Sequence, residues 1–204
     1  MVLLFIIGPL LVAGARPGRG WPVWLAYFGA LGTGFMLIEV ALLQDFVLLL
    51  GHPVYSLTVT LFSLLLGTGL GSLLGRRVAD AHVRTVTVRA LLGVVGVAVV
   101  AALVLPRLID MAIPWSLATR IAFAALLLIP IGCLLGMALP GGMRLLTRSQ
   151  PDVVAWGWGI NGAFSVVGAT LAVFIAMNWG FSVTLVAGAV VYLMAASTLK
   201  VVRA

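Results

Sequence analysis

Seven apolar runs follow one another along the chain, and short segments rich in glycine, proline and arginine separate them. The runs are residues 1–15, 21–50, 54–75, 90–105, 117–139, 153–179 and 181–199. About 20 helical residues cross the ~30 Å hydrocarbon core of a membrane. Lipid offers no partner to an unpaired backbone amide, so apolar runs of this length indicate membrane-spanning helices. The pattern predicts an all-α, polytopic transmembrane bundle of six or seven helices.

The first run is the shortest and differs from the other six. At about 1.5 Å per residue, residues 1–15 reach roughly 22 Å, which is less than a ~30 Å core. Arg16 can extend its side chain to the interface and help close the gap. No basic region precedes the run, as a signal peptide would require. We therefore expect a single transmembrane domain over residues 1–204, with 1–15 as a short span or anchor and 21–199 as a six-helix bundle.

Proline and glycine suggest where two of the later runs end. Pro106 follows the fourth run directly, and Pro140-Gly141-Gly142 follows the fifth. Proline removes a backbone donor and clashes with the preceding turn of a helix. We therefore expect the fourth helix to end at Pro106 and the fifth to be broken at Pro140.

The composition agrees with a lipid environment. Hydrophobic residues make up 63% of the chain and charged residues 8%, with a mean hydropathy of +1.26. A soluble domain has about 25% charged residues. A chain this apolar could not cover a water-facing surface, so we expect the lipid bilayer to surround it.

The basic residues fall on one side of the predicted membrane. If the segment 16–20 is cytoplasmic and the helices alternate, the two outer basic residues are Arg107 and Arg120. Ten lie on the cytoplasmic side, namely Arg16, Arg19, Arg76, Arg77, Arg84, Arg89, Arg144, Arg148, Lys200 and Arg203. This asymmetry is the positive-inside pattern and predicts a cytoplasmic C-terminus. The net charge of +7 is then an insertion signal and an attraction to anionic lipid, and we expect no nucleic-acid partner.

Tryptophans fall near the predicted helix ends, as an aromatic interfacial belt requires. They are Trp21, Trp24, Trp115, Trp156, Trp158 and Trp179.

Glu39 is an ionisable residue well inside the second apolar run. A carboxyl at membrane depth is costly and indicates either a functional site or a buried polar pair. The two interpretations are a proton or cation site, and a hydrogen-bonded carboxyl that joins two helices. Gln44 and Asp45 follow one turn later, and we expect them near the outer surface, where a charge costs little.

Asn161 is the most suitable partner for Glu39 in the sequence. It lies early in the sixth run, and Ser165 follows four residues later on the same helix face. An intramembrane asparagine commonly forms a hydrogen bond across a helix interface. We therefore predict a contact between Glu39 and Asn161.

Three glycines at four-residue spacing end the third run. Gly67, Gly71 and Gly75 form a doubled small-xxx-small pattern, which favours close helix packing. The pattern fits packing inside the chain, and it also fits a contact with another subunit.

The sequence contains no recognisable catalytic, cofactor-binding or metal-binding motif. Cys133 is the single cysteine, and His52 and His82 fall in loops on opposite sides of the predicted membrane. The five acidic residues are scattered singly. We expect no cofactor and no enzymatic activity from this chain alone.

Three stretches together resemble a known family. They are residues 27–77, residues 136–144 (GMALPGGMR) and residues 156–181, and the segment from Glu39 through His52-Pro53-Val54-Tyr55-Ser56 is the most specific part. They resemble the C-terminal membrane region of large bacterial spermidine-synthase-like membrane proteins, in which helices flank a soluble aminopropyltransferase- or methyltransferase-like domain. The sequence contains no counterpart of that soluble domain, so no catalytic residue of the family can be transferred. The resemblance implies a membrane platform, with a separately encoded enzyme as a partner.

Three functions are compatible with these observations. The first is a non-catalytic integral membrane subunit or anchor that packs with a partner protein or with further copies of itself. The second is a half-size transporter, since six helices with both ends inside resemble half of a major-facilitator-type carrier. Glu39 and Asn161 would then bind a polyamine-like or other small cation. The third is the membrane part of an enzyme completed by another chain. For each, we expect a multi-pass protein of the bacterial inner membrane.

Overall fold

Six long helices account for nearly all of residues 21–201, the part of the chain that the computed structural model describes. In chain order they are α1 (Trp21–Leu50), α2 (Pro53–Arg76), α3 (Val83–Ala112), α4 (Leu117–Ser149), α5 (Val154–Trp179) and α6 (Phe181–Val201). Within residues 21–201 there is no strand. All six helices are long and apolar enough to cross a membrane, so the predicted all-α transmembrane bundle is confirmed. The span predicted at 1–15, together with Arg16, Arg19 and Arg203, lies outside the described residues.

Local sequence signals set several of the helix boundaries. Gly51 adopts a φ of +75° between α1 and α2, a conformation that favours glycine. His52 caps α2, because its Nδ1 accepts the backbone N–H of Val54 at 3.3 Å, and Pro53 occupies the first turn. Ser116 caps α4 in the same manner through the N–H of Thr119. The chain reverses between α5 and α6 at Gly180, where φ is +89°.

The predicted breaks at Pro106 and at Pro140-Gly141-Gly142 were wrong. Pro106 lies inside α3, and Pro140 lies inside α4, which continues to Ser149. Membrane helices tolerate internal proline because nearby groups can satisfy the freed backbone atoms. The two glycines that follow Pro140 allow close packing. A Cβ on Gly141 would collide with the side chain of Thr87, and one on Gly142 with the ring of Tyr27.

The helices alternate in direction, and most of the basic residues lie at one of the two ends of the bundle. Arg144 of α4 donates to the carbonyl oxygen of Gly75 in α2, and Arg84 of α3 donates to that of Leu199 in α6, which places these helix termini together. We call this the basic end. Seven of the described basic residues are near it, namely Arg76, Arg77, Arg84, Arg89, Arg144, Arg148 and Lys200, whereas Arg107 and Arg120 are toward the opposite end.

Helix α1 forms the centre of the bundle and contacts each of the other five described helices. Its side chains Tyr27, Phe28 and Phe46 are almost completely buried. The outward faces of the other helices are apolar: Phe62 of α2 and Leu126 of α4, for example, are largely exposed. Exposed apolar faces of this kind are typical of helices long enough to cross a membrane.

Candidate functional site

Two of the three ladder glycines lie in the interface between α2 and α4. A Cβ on Gly67 would collide with the backbone of Ile129 and Gly132, and one on Gly71 would collide with the backbone of Cys133. A Cβ on Gly75 would have no atom of the described residues within 4 Å. Close packing inside the chain therefore accounts for Gly67 and Gly71, while Gly75 borders open space.

Asn161 and Ser165 lie where α5 packs against α1. The two helices run in the same direction and approach closely, because Gly32 of α1 lies directly against the backbone of Asn161 and Ser165. Asn161 Nδ2 donates to the carbonyl oxygen of Phe28 at 3.3 Å, and Ser165 Oγ donates to the carbonyl oxygen of Asn161 at 2.8 Å. Asn161 thus forms the interhelical hydrogen bond expected of an intramembrane amide, but its acceptor is a backbone group.

A groove opens beside this pair, between α4 and α5, and α1 forms its floor. We call it the Asn161 groove. It has a volume of about 240 Å³, which is enough for several water molecules or for inserted side chains. Its walls are largely apolar, with polar atoms from Asn161 and Ser165. The lining residues are Leu31, Phe35, Met36, Leu135, Ala138, Leu139, Asn161, Ser165 and Tyr192.

Glu39 lies one turn beyond the groove residues of α1. It follows Phe35 by four positions and Met36 by three, so the three share one face of the helix. The side chain is half-buried, and within the described part of the chain it forms no hydrogen bond or ion pair. Asn161 binds eleven residues earlier on α1, at Phe28, which is roughly 16 Å away along the axis. The predicted contact between Glu39 and Asn161 is therefore not formed.

Gln44 and Asp45 differ in exposure, although we had expected both near the outer surface. Gln44 is exposed on the outward face of α1. Asp45 is only 6% exposed, and its Oδ2 atom is buried without a partner among the described residues. The expectation that a charge at Asp45 costs little was wrong, because it considered depth along α1 and not direction around it. Asp45 continues the buried stripe of Ile38, Leu42 and Leu49, a spacing that the sequence already contains.

A charged cluster at the basic end joins the segment between α2 and α3 to the last turns of α4. Asp80 pairs with Arg144 at 2.6 Å and also with Arg148. Arg144 donates further to the carbonyl oxygens of Gly75 and Val78, at 2.9 and 3.0 Å. The sequence pattern places both arginines at this end but gives no sign of the cluster, because Asp80 is 64 residues from Arg144 and 68 residues from Arg148 in the chain.

Among residues 21–201, no group of three or more histidine, cysteine, aspartate or glutamate side chains could hold a metal ion. The polar groups inside the spanning helices can form hydrogen bonds. They are the amide of Asn161 and the hydroxyl of Ser165 in the Asn161 groove, and the carboxyl of Glu39 one turn beyond it. Comparison with protein-family models, with curated proteins and with solved structures gave no match to this chain.

Proposed function

We propose that this chain is a non-catalytic integral membrane subunit, and that its Asn161 groove and Glu39 receive a transmembrane helix of a partner. The observation that carries the proposal is Glu39, a half-buried carboxyl in the middle third of α1 with no hydrogen-bonding partner among the described residues. A partner helix with a polar side chain at the level of Glu39 would supply what the chain itself lacks.

The cost of placing Glu39 at membrane depth supports an external partner. A central acidic residue costs about 2.5–3.5 kcal/mol on insertion scales, and such residues characteristically pair or line a cavity. A hydrogen bond between membrane helices returns about 0.6–2 kcal/mol. The groove adds apolar walls on which a helix can pack, and these walls continue toward Asn161.

The arrangement of charge and the family resemblance define the setting of the proposal. By the positive-inside rule, the basic end faces the cytoplasm of a bacterial inner membrane, and the C-terminus lies on that side. The resemblance to the membrane region of spermidine-synthase-like proteins favours a partner that belongs to a synthase-like enzyme complex. In this proposal the chain is the membrane platform of such a complex.

Site-directed photocrosslinking in native membranes tests the partner directly. A photoreactive amino acid at Met36, in the groove, is expected to give one adduct of discrete mass. The same amino acid at Phe62, which is 67% exposed on the outward face of α2, is expected to give lipid adducts alone. An adduct of twice the chain mass would identify a second copy of this chain as the partner.

Substitution at Glu39 adds a matched control. Glu39→Leu is expected to reduce the Met36 adduct at least tenfold, while Glu39→Gln retains part of it because an amide can still form hydrogen bonds. Gln44→Leu removes an exposed polar group from the same helix and is expected to leave the adduct unchanged. Equal crosslinking in all four proteins, or no protein adduct in the parent, would refute the proposal.

The polar groups of the groove favour a half-size transporter as the second candidate. Asn161 and Ser165 line a cavity in which a small cation such as a polyamine could bind, and the Glu39 carboxyl lies one turn of α1 beyond it. Uptake of labelled polyamine into proteoliposomes tests this function. Uptake that depends on Glu39 in the purified chain would favour transport over the subunit proposal, and the absence of uptake would remove it.

A further inference from the structure

An open pocket at the basic end has a different character from the Asn161 groove. It has a volume of about 370 Å³ and lies where α1, α3, α4 and α6 meet. One part of its wall is polar and charged, with Arg84, Arg148, Ser149 and Asp80. The other part is apolar and includes Trp24 and Leu199. We call it the Arg84–Arg148 pocket.

The charge around the pocket is positive. Arg84 and Arg148 line it, Arg144 lies beside them, and Asp80 is the acidic residue of the cluster. Arg144 is committed to the protein, because it donates to two backbone carbonyls as well as to Asp80. Arg148 is 45% exposed, and its hydrogen bonds within the cluster go to one residue, Asp80. A guanidinium has five N–H donors, so Arg148 can also bind an external anion.

We propose that the Arg84–Arg148 pocket binds the phosphodiester headgroup of an anionic phospholipid. Planar guanidinium groups match phosphate oxygens in geometry and charge. Basic pockets between helices on the cytoplasmic side of membrane proteins suit such headgroups. The Ser149 hydroxyl adds a polar group to the wall, although its own proton is donated to the backbone carbonyl oxygen of Leu145. Trp24 and Leu199 provide an apolar wall for the glycerol and the upper acyl chains. That apolar wall favours a lipid over free phosphate.

Lipid binding to the purified full chain in detergent, measured by native mass spectrometry, tests the proposal. The probes are phosphatidylglycerol, phosphatidylcholine and inorganic phosphate. Each arginine near a membrane surface contributes about 1 kcal/mol toward anionic lipid. Replacing both, in R84Q/R148Q, is therefore expected to weaken phosphatidylglycerol binding about thirtyfold. The double variant R77Q/R89Q removes the same charge from the same end but from positions that do not line the pocket, and a loss below threefold is expected.

Further arms keep the test decisive if R84Q/R148Q folds poorly. R84K/R148K keeps the charge and is expected to bind within about fivefold of the parent protein. The parent is expected to prefer phosphatidylglycerol over phosphatidylcholine at least tenfold, and millimolar phosphate is expected not to displace the lipid. Equal losses in the two glutamine double variants would show non-specific attraction and overturn the proposal. Displacement by phosphate would overturn it too, in favour of a site for the free anion.

Discussion

The α2–α4 interface and the Asn161 groove show two ways in which this bundle uses helix contacts. At the α2–α4 interface, Gly67 and Gly71 bring two backbones so close that no side-chain atom fits between them. Along the groove, α4 and α5 make few contacts with each other, and α1 forms the floor between them. The first region has no space for a partner, whereas the second has apolar walls, polar groups and open volume.

The comparison explains why small residues and polar residues serve different purposes in the chain. Without a hydrophobic driving force between helices in lipid, close van der Waals packing supplies much of the association energy, and glycine permits it. Polar groups add a smaller amount of energy but define position. We therefore expect the α2–α4 interface to dominate stability and the groove to contribute less to folding than to recognition.

The largest effect is expected from closing the space at Gly71. In Gly71→Ala the new Cβ would collide with the backbone of Cys133. Backbone atoms inside a helix cannot rotate out of the way as a side chain can, so α2 and α4 must move apart. Overpacking of this kind costs about 1–3 kcal/mol and occasionally more, and we expect the upper end, about 3 kcal/mol. Thermal or denaturant unfolding in a defined detergent measures the change.

Gly75→Ala is the matched control, because Gly75 continues the same spacing toward open space. We expect its stability to equal or slightly exceed that of the parent protein, since alanine favours helix over glycine. A similar loss in both variants would mean that the helix backbone, and not the contact with α4, is sensitive at these positions.

The sequence was sufficient to predict the bundle but not its internal geometry. Run length and the separation of basic residues predicted six or seven helices and two unlike ends, because these features depend on lipid thickness and charge alone. Six of these helices lie in the described part of the chain. The break at Pro140 was wrong, because glycine after proline can indicate close packing as well as a turn. The predicted contact between Glu39 and Asn161 is not formed because the two side chains lie at different depths along the bundle. That difference depends on how far α1 and α5 are shifted along each other, which the sequence does not show. The burial of Asp45 was missed although its spacing matched the buried stripe.

A smaller effect is expected at the end of the α2–α4 interface. Arg144→Gln removes the ion pair with Asp80 and two hydrogen bonds to the carbonyl oxygens of Gly75 and Val78. These contacts hold the end of α2 and the segment after it against α4. Bonds of this kind contribute about 1.5–3 kcal/mol when buried, and Arg144 is 29% exposed, so we expect a loss of about 1–2 kcal/mol. Its control is Arg89→Gln, an exposed arginine of the same end, with an expected change within about 0.5 kcal/mol. Equal losses from the two variants would attribute the effect to net charge.

The smallest of these effects is expected from the groove itself, in Asn161→Ala. This change removes the hydrogen bond to the carbonyl oxygen of Phe28, and interhelical bonds in membranes average about 0.6 kcal/mol. Asn178→Ala is its control, because Asn178 is exposed and bonds to Phe174 within its own helix, so a change near zero is expected. Unfolding in the same detergent compares both with Gly71→Ala. If Asn161→Ala lowers the free energy of unfolding by about 3 kcal/mol or more, the groove contributes as much to stability as the α2–α4 interface, and the proposed difference between the two regions is wrong. A loss below about 1 kcal/mol, together with a weaker photocrosslink at Met36, would show that the groove binds another helix more than it stabilises its own.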